Sequence, residues 1–247
     1  MANVMKRPEW FEIWFDTPYY HFLYENRDEE EAEQFLSALL NYLQLPPGSS
    51  VLDVACGTGR YSRFLESKNF NVVGIDLSWK NIQQASRFES EHLMFLLHDM
   101  RKPFYVNYFD ATFNFFTSFG YFSGERDNLK AIHSLSTSLK KGGRLVIDFF
   151  NSEKVIREMM PDQQLLRNNI LFTIKKRLEN EVIIKNISFR DEGKEFEFEE
   201  RVQALGLRDF EQYFQKQHLK LKDVFGDYHL KSFDPQHSDR MILVAEK

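Results

Sequence analysis

Three acids and two glycines stand where they could hold a ligand. In "VLDVACGTG", Val51 to Gly59, an apolar run carries one acid, Asp53, and breaks into Gly57 and Gly59. Glycines two apart after a strand let the backbone approach a ligand where side chains would block it. Asp76 ends the next apolar run about twenty residues past the turn, the position from which a carboxylate takes ribose hydroxyls. Asp99 closes a third run, "LMFLLHD". A pyrophosphate-bearing dinucleotide suits this pattern poorly. Its fingerprint wants glycine at position 62, where Ser62 stands, and the Asp53 charge beside the turn would repel a pyrophosphate. A ribose ligand that also carries a cation fits better, and S-adenosylmethionine has both.

The elements that must position these residues follow from the hydrophobic pattern. The chain has 247 residues, 43% hydrophobic and 28% charged, which suits a folded globular protein. "EEEAEQFLSALLNYLQL" places Ala32, Phe35, Leu36, Leu39, Leu40 and Leu43 on one helical stripe, stopped by Pro46, Pro47 and Gly48. Short apolar runs then come at 50–55, 70–76, 94–98, 111–116 and 144–150, with helical patterns between most of them. That alternation predicts an α/β fold with a doubly wound, mainly parallel sheet. In "SLKKGG" the pattern predicts a helix ending at Lys140 and Lys141 with Gly142 as its cap. After Phe150 the texture becomes antiparallel: "ILFTIKKRL", "EVIIKNISF" and "KEFEFEERVQAL", with "RDEG" as a hairpin turn. A helix near Asp209 to His218 and strands at 220–225 and in "RMILVAEK" complete the pattern.

The stretch from about Val51 to Phe150 resembles the class I, Rossmann-like S-adenosylmethionine-dependent methyltransferases. "LDVACGTG" resembles the family's first motif, "GIDLS" its acid-ended second strand, "LLHDM" with "RKPF" its third motif, and "FDATFNFFTSFGYF" the fourth-strand motif. The resemblance implies S-adenosyl-L-methionine as cofactor. Asp53 and the backbone of Ala55, Cys56, Gly57 and Gly59 would hold the methionine end. Asp76 would take the ribose hydroxyls, Leu77 would pack on the adenine, and Asp99 with the Met100 backbone would address the ring. Phe116 and Tyr121 would close the site near the methyl group. The resemblance also implies a seven-stranded sheet whose last strand is reversed and inserted beside the fifth, and the antiparallel pattern after Phe150 adds a small β insertion after the fifth strand. The expected layout is one domain over 1–247, with an N-terminal cap over about 1–45 and the insertion over about 165–205.

The segment "WFDTPYYHFLYENRDEEEA" gathers more aromatic and polar groups than a helix start needs. By analogy with relatives whose N-terminal segment folds over the cleft, Tyr20 and Arg27 are cofactor candidates and His21 is an acceptor-side candidate beside Tyr121. The alternative is plain packing against the sheet, with Arg27 paired to a glutamate. The strands from about Ile170 to Leu205, with the segment around Tyr19 to Tyr24, are expected to form the acceptor pocket, aromatic face inward.

Other residues read as structural. Asp110 suits a turn or cap, and Cys56 a small packing residue rather than a nucleophile. The histidines lack metal-ligand spacing, so no metal is expected. One cysteine and no long uncharged apolar stretch predict a cytoplasmic protein without membrane contact. A net charge of -5 argues against a nucleic-acid partner. No Asn-Pro-Pro-Tyr-like element follows the fourth strand, which counts against methylation of DNA adenine or glutamine. The expected partner is a small-molecule methyl acceptor, O, N or C, and exposed strand edges make a homodimer a further candidate. The competing functions are a non-catalytic S-adenosylmethionine-binding protein and a nicotinamide-dependent oxidoreductase.

Overall fold

The computed structural model describes residues 9–24 and 29–247. Two short helices, α1 (Trp10–Trp14) and α2 (Pro18–Leu23), precede the long α3 (Glu29–Leu43). Thr17 caps α2 by accepting from the Tyr20 N–H, and Pro18 starts it, where a missing N–H costs nothing. The stripe foreseen on α3 is the buried face: Ala32, Phe35, Leu36 and Leu39 are all nearly inaccessible.

The sheet alternates with helices as the apolar runs require. Its strands are β1 (Ser50–Val54), β2 (Asn71–Asp76), β3 (Leu93–Leu97), β4 (Phe109–Asn114) and β5 (Leu139–Phe150). Between them lie α4 (Arg60–Ser67), α5 (Trp79–Ala85) and α6 (Glu125–Ser138). Near the C-terminus, α8 (Leu207–Lys216) leads to β10 (Lys220–Phe225) and β11 (Arg240–Glu246). The seven strands run in the order β10-β11-β5-β4-β1-β2-β3. All neighbours from β5 to β3 are parallel, while β11 lies antiparallel between β5 and β10. Met241 to Ala245 are buried on both faces of β11, as an interior strand demands. One core packs α6 and α8 on one face of the sheet, and a second packs α3, α4 and α5 on the other.

The α6 boundary differs from the expectation. The helix stops at Ser138, and Lys140 and Lys141 belong to β5. Leu139 pairs with Phe109, then the ladder slips, and pairing resumes between Arg144 and Ala111. In this irregular stretch the Lys140 ammonium lies 2.9 Å from the Asp110 carboxylate, which also accepts the Ser50 N–H at 2.9 Å, and the Gly142 N–H donates to the Lys247 carbonyl at 2.8 Å.

After the short helix α7 (Ser152–Arg157) comes the insertion, a separate antiparallel sheet of four strands rather than three. Its strands are β6 (Asp162–Arg167), β7 (Ile170–Glu179), β8 (Val182–Asp191) and β9 (Lys194–Gln203). Each hairpin turn has two left-handed residues: Asn168 and Asn169, Asn180 and Glu181, Glu192 and Gly193. That is the type I′ geometry whose twist matches the strands it joins. The inner face of this sheet carries Phe172, Ile174, Ile187 and Phe189, which pack with Phe196 and Phe198 against Trp14 and Leu23 of the N-terminal helices.

Candidate functional site

A cavity of about 460 Å3 opens beyond the carboxyl ends of β1, β2 and β4. The turn after β1 forms one wall. Ala55, Gly57 and Gly59 all have left-handed backbones, with φ of 58°, 58° and 83°. The turn is tied to β2 twice: the Cys56 N–H donates to the Ile75 carbonyl at 3.0 Å, and the Gly57 N–H donates to Asp76 Oδ2 at 2.9 Å. Asp76 Oδ1 accepts the Ser78 N–H at 2.8 Å. Burial still pushes the Asp76 carboxyl up, against the hydrogen bonds from Ser78 and Gly57.

The sequence-predicted residues separate into those on the cavity and those behind it. Ala55, Cys56, Gly57, Asp76, Leu77, Asp99, Met100 and Phe116 line it, and so do Tyr20, His21 and Tyr121. Asp53 and Gly59 do not appear on its wall. Asp53 is 1% exposed beneath the turn, where it accepts from the Ser62 hydroxyl at 2.6 Å. Burial pushes its carboxyl up to about 7 in spite of that bond, and the nearby Asp76 charge adds to the rise. Gly59 faces the protein: a Cβ there would lie 2.5 Å from the Phe95 ring. Arg27 lies outside the described residues. Cys56 is buried and its thiol is pushed well up by burial and by the two acids, which suits the packing role foreseen for it.

Asp99 is held by a neighbour that sequence reading passed over. Arg101 gives its backbone N–H and Nε to Asp99 Oδ1 at 2.9 and 3.0 Å, and Nη2 to Oδ2 at 2.8 Å. Burial pushes the Asp99 carboxyl up, but these bonds outweigh it and hold the group below the usual range. Arg101 Nη1 also reaches Glu9 at 2.9 Å, joining the third motif to the start of α1. The spacing Asp-x-Arg was the available signal. Tyr61 of α4, stacked on Phe116 with ring centroids 5.0 Å apart, was also missed, as was Arg60, whose guanidinium donates to the Tyr61 hydroxyl.

The N-terminal helices form the remaining wall through Phe11, Phe15, Tyr20, His21 and Tyr24. The insertion holds them from behind. Glu200 of β9 accepts from Trp14 Nε1 at 2.7 Å and from the Tyr24 hydroxyl at 2.8 Å, with Lys185 Nζ 3.4 Å away. No residue of β6 to β9 lines the cavity among the described residues. The aromatic face of the insertion therefore looks inward onto the cap, and the cap looks onto the cavity.

A family model described as a methyltransferase domain matches residues 51–143, the stretch from β1 to the start of β5. A solved S-adenosylmethionine-dependent methyltransferase from Clostridium acetobutylicum ATCC 824 superposes with a TM-score of 0.78 at 23% identity, covering 92% of this chain and 95% of that one. The chain has the fold of the class I S-adenosylmethionine-dependent methyltransferases. Among curated relatives, the YqeM protein of Bacillus subtilis (strain 168) is 36% identical over 121 residues, 48% of this chain and 49% of its own length. A tRNA U34 carboxymethyltransferase of Pseudomonas fluorescens (strain SBW25) is 31% identical over 143 residues, 55% of this chain and 43% of its own length. The chain spans about half the length of these two curated relatives.

These relatives overturn the expected partners. Several curated relatives are named as tRNA U34 carboxymethyltransferases, so the assignment of a small-molecule acceptor with no nucleic acid does not stand. A net charge of -5 is a sum over the whole chain and says nothing about one surface or one pocket. As for membranes, no helix among the described residues is long and apolar enough to cross one. No cluster of three or more potential metal ligands occurs among them either.

Proposed function

We propose that this chain is a methyltransferase that uses S-adenosyl-L-methionine as methyl donor. The observation that carries the reading is Asp76, an acid on the cavity wall whose carboxylate is bonded to the glycine turn of the preceding strand. Burial makes its charge costly, so ribose hydroxyls that donate to it would be favoured. Burial pushes both Asp76 on the wall and Asp53 beneath the turn up, and the Asp76 charge adds to the rise at Asp53, so this acid pair favours a cation over a pyrophosphate in the cavity. The volume, about 460 Å3, suits a cofactor with its acceptor atom.

When bound, S-adenosylmethionine supplies an already activated methyl group on a sulfonium. The protein's part is to orient and to exclude water. The turn at Ala55 to Gly57 takes the methionine end, Asp76 the ribose, and Leu77, Asp99 and Met100 the adenine. Tyr20 reaches the cofactor from the cap. His21 and Tyr121 are the wall residues that orient the acceptor and, where it carries a proton, can receive it. The single cysteine, buried and unpaired, fits a cytoplasmic home.

Calorimetric titration with S-adenosylmethionine and separately with NADH tests the cofactor. Binding of NADH alone would refute the proposal. Methyl-labelled S-adenosylmethionine incubated with the protein and fractionated cell extract then shows which fraction takes the label. Binding without transfer to any fraction would leave a non-catalytic binding protein.

A further inference from the structure

The turn that follows β4 is strained. Phe116 and Thr117 both have left-handed backbones, with φ of 54° and 59°. For a β-branched residue such as threonine that is an outlier, and such a turn persists only where its surroundings over-determine it.

The surroundings here are an ion pair between a buried carboxylate and a half-buried arginine. Asp148 of β5 is 0% exposed. Its Oδ2 accepts the Phe116 N–H at 2.9 Å, and its backbone carbonyl accepts the Thr117 N–H at 2.9 Å. Arg240 of β11 closes on it with Nε at 2.8 Å and Nη2 at 2.6 Å from Oδ1. The same Nη2 lies 3.1 Å from Thr117 Oγ1. The Tyr228 hydroxyl donates to Oδ2 at 3.3 Å, and the Arg240 guanidinium stands 5.5 Å from the centre of the Tyr228 ring. Register explains why these residues meet: Ile242 lies opposite Asp148 and Arg240 opposite Phe150, so the reversed strand brings its arginine to the end of β5.

Neither Asp148 nor Arg240 lines the cavity, but the turn they hold does. Phe116 lies against Tyr61 with the two planes 15° apart, and both rings belong to the cavity wall. A turn relaxed to right-handed φ would swing the Phe116 ring off Tyr61, because its Cβ direction follows the backbone.

We propose that Asp148 and Arg240 are positioning residues: their ion pair holds the left-handed Phe116–Thr117 turn and so sets the Phe116–Tyr61 wall against which the cofactor binds. This rests on the reading of the cavity as the S-adenosylmethionine site. Burying a carboxylate is costly unless it is paired, and a pair used only for folding has no need to bond a strained turn as well.

A glycine at 117 distinguishes positioning from mere stability, since glycine adopts positive φ without strain. Asp148→Asn, Thr117→Gly and the double variant are compared by titration with S-adenosylmethionine, thermal melting and amide exchange at Phe116 and Thr117. Asp148→Asn should melt lower, exchange faster at both amides and bind S-adenosylmethionine about tenfold more weakly. In the double variant the affinity should return to within about threefold of wild type while the melting temperature stays low. Affinity that is not recovered by Thr117→Gly, or that Asp148→Asn leaves at the wild-type value, overturns the proposal. If Asp148→Asn does not fold, Arg240→Lys with the same second substitution takes its place. Should the wild-type chain not bind S-adenosylmethionine, the reading of the cavity fails instead. The clamp is then judged on amide exchange, and unchanged protection of Phe116 and Thr117 in Asp148→Asn overturns it.

Discussion

The Asp76 carboxylate accepts the Gly57 N–H at 2.9 Å, so the end of β2 and the glycine turn after β1 form one unit. Asp76 therefore has two tasks, fixing the turn and receiving the ligand. Asp76→Ala removes both and should weaken S-adenosylmethionine binding by roughly tenfold to a hundredfold, the value of a lost charge-assisted hydrogen bond. Asp76→Asn keeps an acceptor for the turn and should lose less. Titration of the two variants checks this, with circular dichroism to show that each is folded. Equal affinity in wild type and a folded Asp76→Ala would remove the ribose assignment.

The parallel sheet was readable because each strand is a short apolar run flanked by turn residues, and β11 because "MILVA" is apolar on both faces. What escaped reading depends on contacts between distant residues. "SLKKGG" continues a good helical pattern, yet Gly142 and Gly143 exchange backbone hydrogen bonds with Lys247, and no local propensity reports that. β6 was missed because its alternation is mostly polar, as an edge strand allows. At the site, Asp53 and Asp76 look alike in sequence. Only the fold shows one sealed under the turn with Ser62 and the other on the cavity wall. That the insertion supports the cap from behind rests on Glu200, which lies on the same face of β9 as Phe196 and Phe198 and reaches Trp14 and Tyr24.

Asp53 should make the protein's stability fall as pH rises. Its carboxyl is pushed up to about 7 in the folded chain from an ordinary value of 3.8. Between those values the folded state holds a proton that the unfolded chain has released, so stability is greatest at the acid end and is lost as pH rises through 7. Asp53→Asn removes this dependence while keeping an acceptor for Ser62. The variant should gain on wild type by roughly 4 kcal/mol at most between pH 4 and pH 8. Urea unfolding of both proteins at intervals across that range measures the difference. Two parallel stability curves would mean that Asp53 stays charged throughout.

Glu200 should control the cap. Its side chain is 12% exposed and that of Lys185 16%, so Glu200→Ala takes the carboxylate from Lys185 in a half-dry site and removes the acceptor to which Trp14 and Tyr24 donate. We expect a loss of about 1–3 kcal/mol, below the cost of breaking a fully buried pair because water can still reach Lys185. Amide exchange should accelerate in α1 and α2, with weaker S-adenosylmethionine binding, while β1 to β5 keep their protection. Exchange that rises evenly over the whole chain would show global destabilisation and no particular hold on the cap.

Gly57 and Gly59 should fail in opposite ways. A Cβ at Gly57 meets nothing within 4 Å, and the residue lines the cavity at φ 58°, so Gly57→Ala places a methyl group where the ligand must come. Its stability cost is the left-handed alanine alone, about 1–2 kcal/mol. A Cβ at Gly59 would lie 2.5 and 2.7 Å from ring atoms of Phe95 and 3.2 Å from the Ala85 Cβ, at φ 83°. Gly59→Ala therefore strains the backbone and overpacks the contact between the turn, α5 and β3, at a cost of about 2–4 kcal/mol. Gly57→Ala should melt near wild type and bind S-adenosylmethionine at least about tenfold more weakly, since the methyl group competes with the cofactor for one space. Gly59→Ala should melt far lower, and the fraction that folds should bind with affinity closer to wild type. Melting curves and titrations of the two variants decide it. The reverse ranking would place the cofactor on the Gly59 side of the turn.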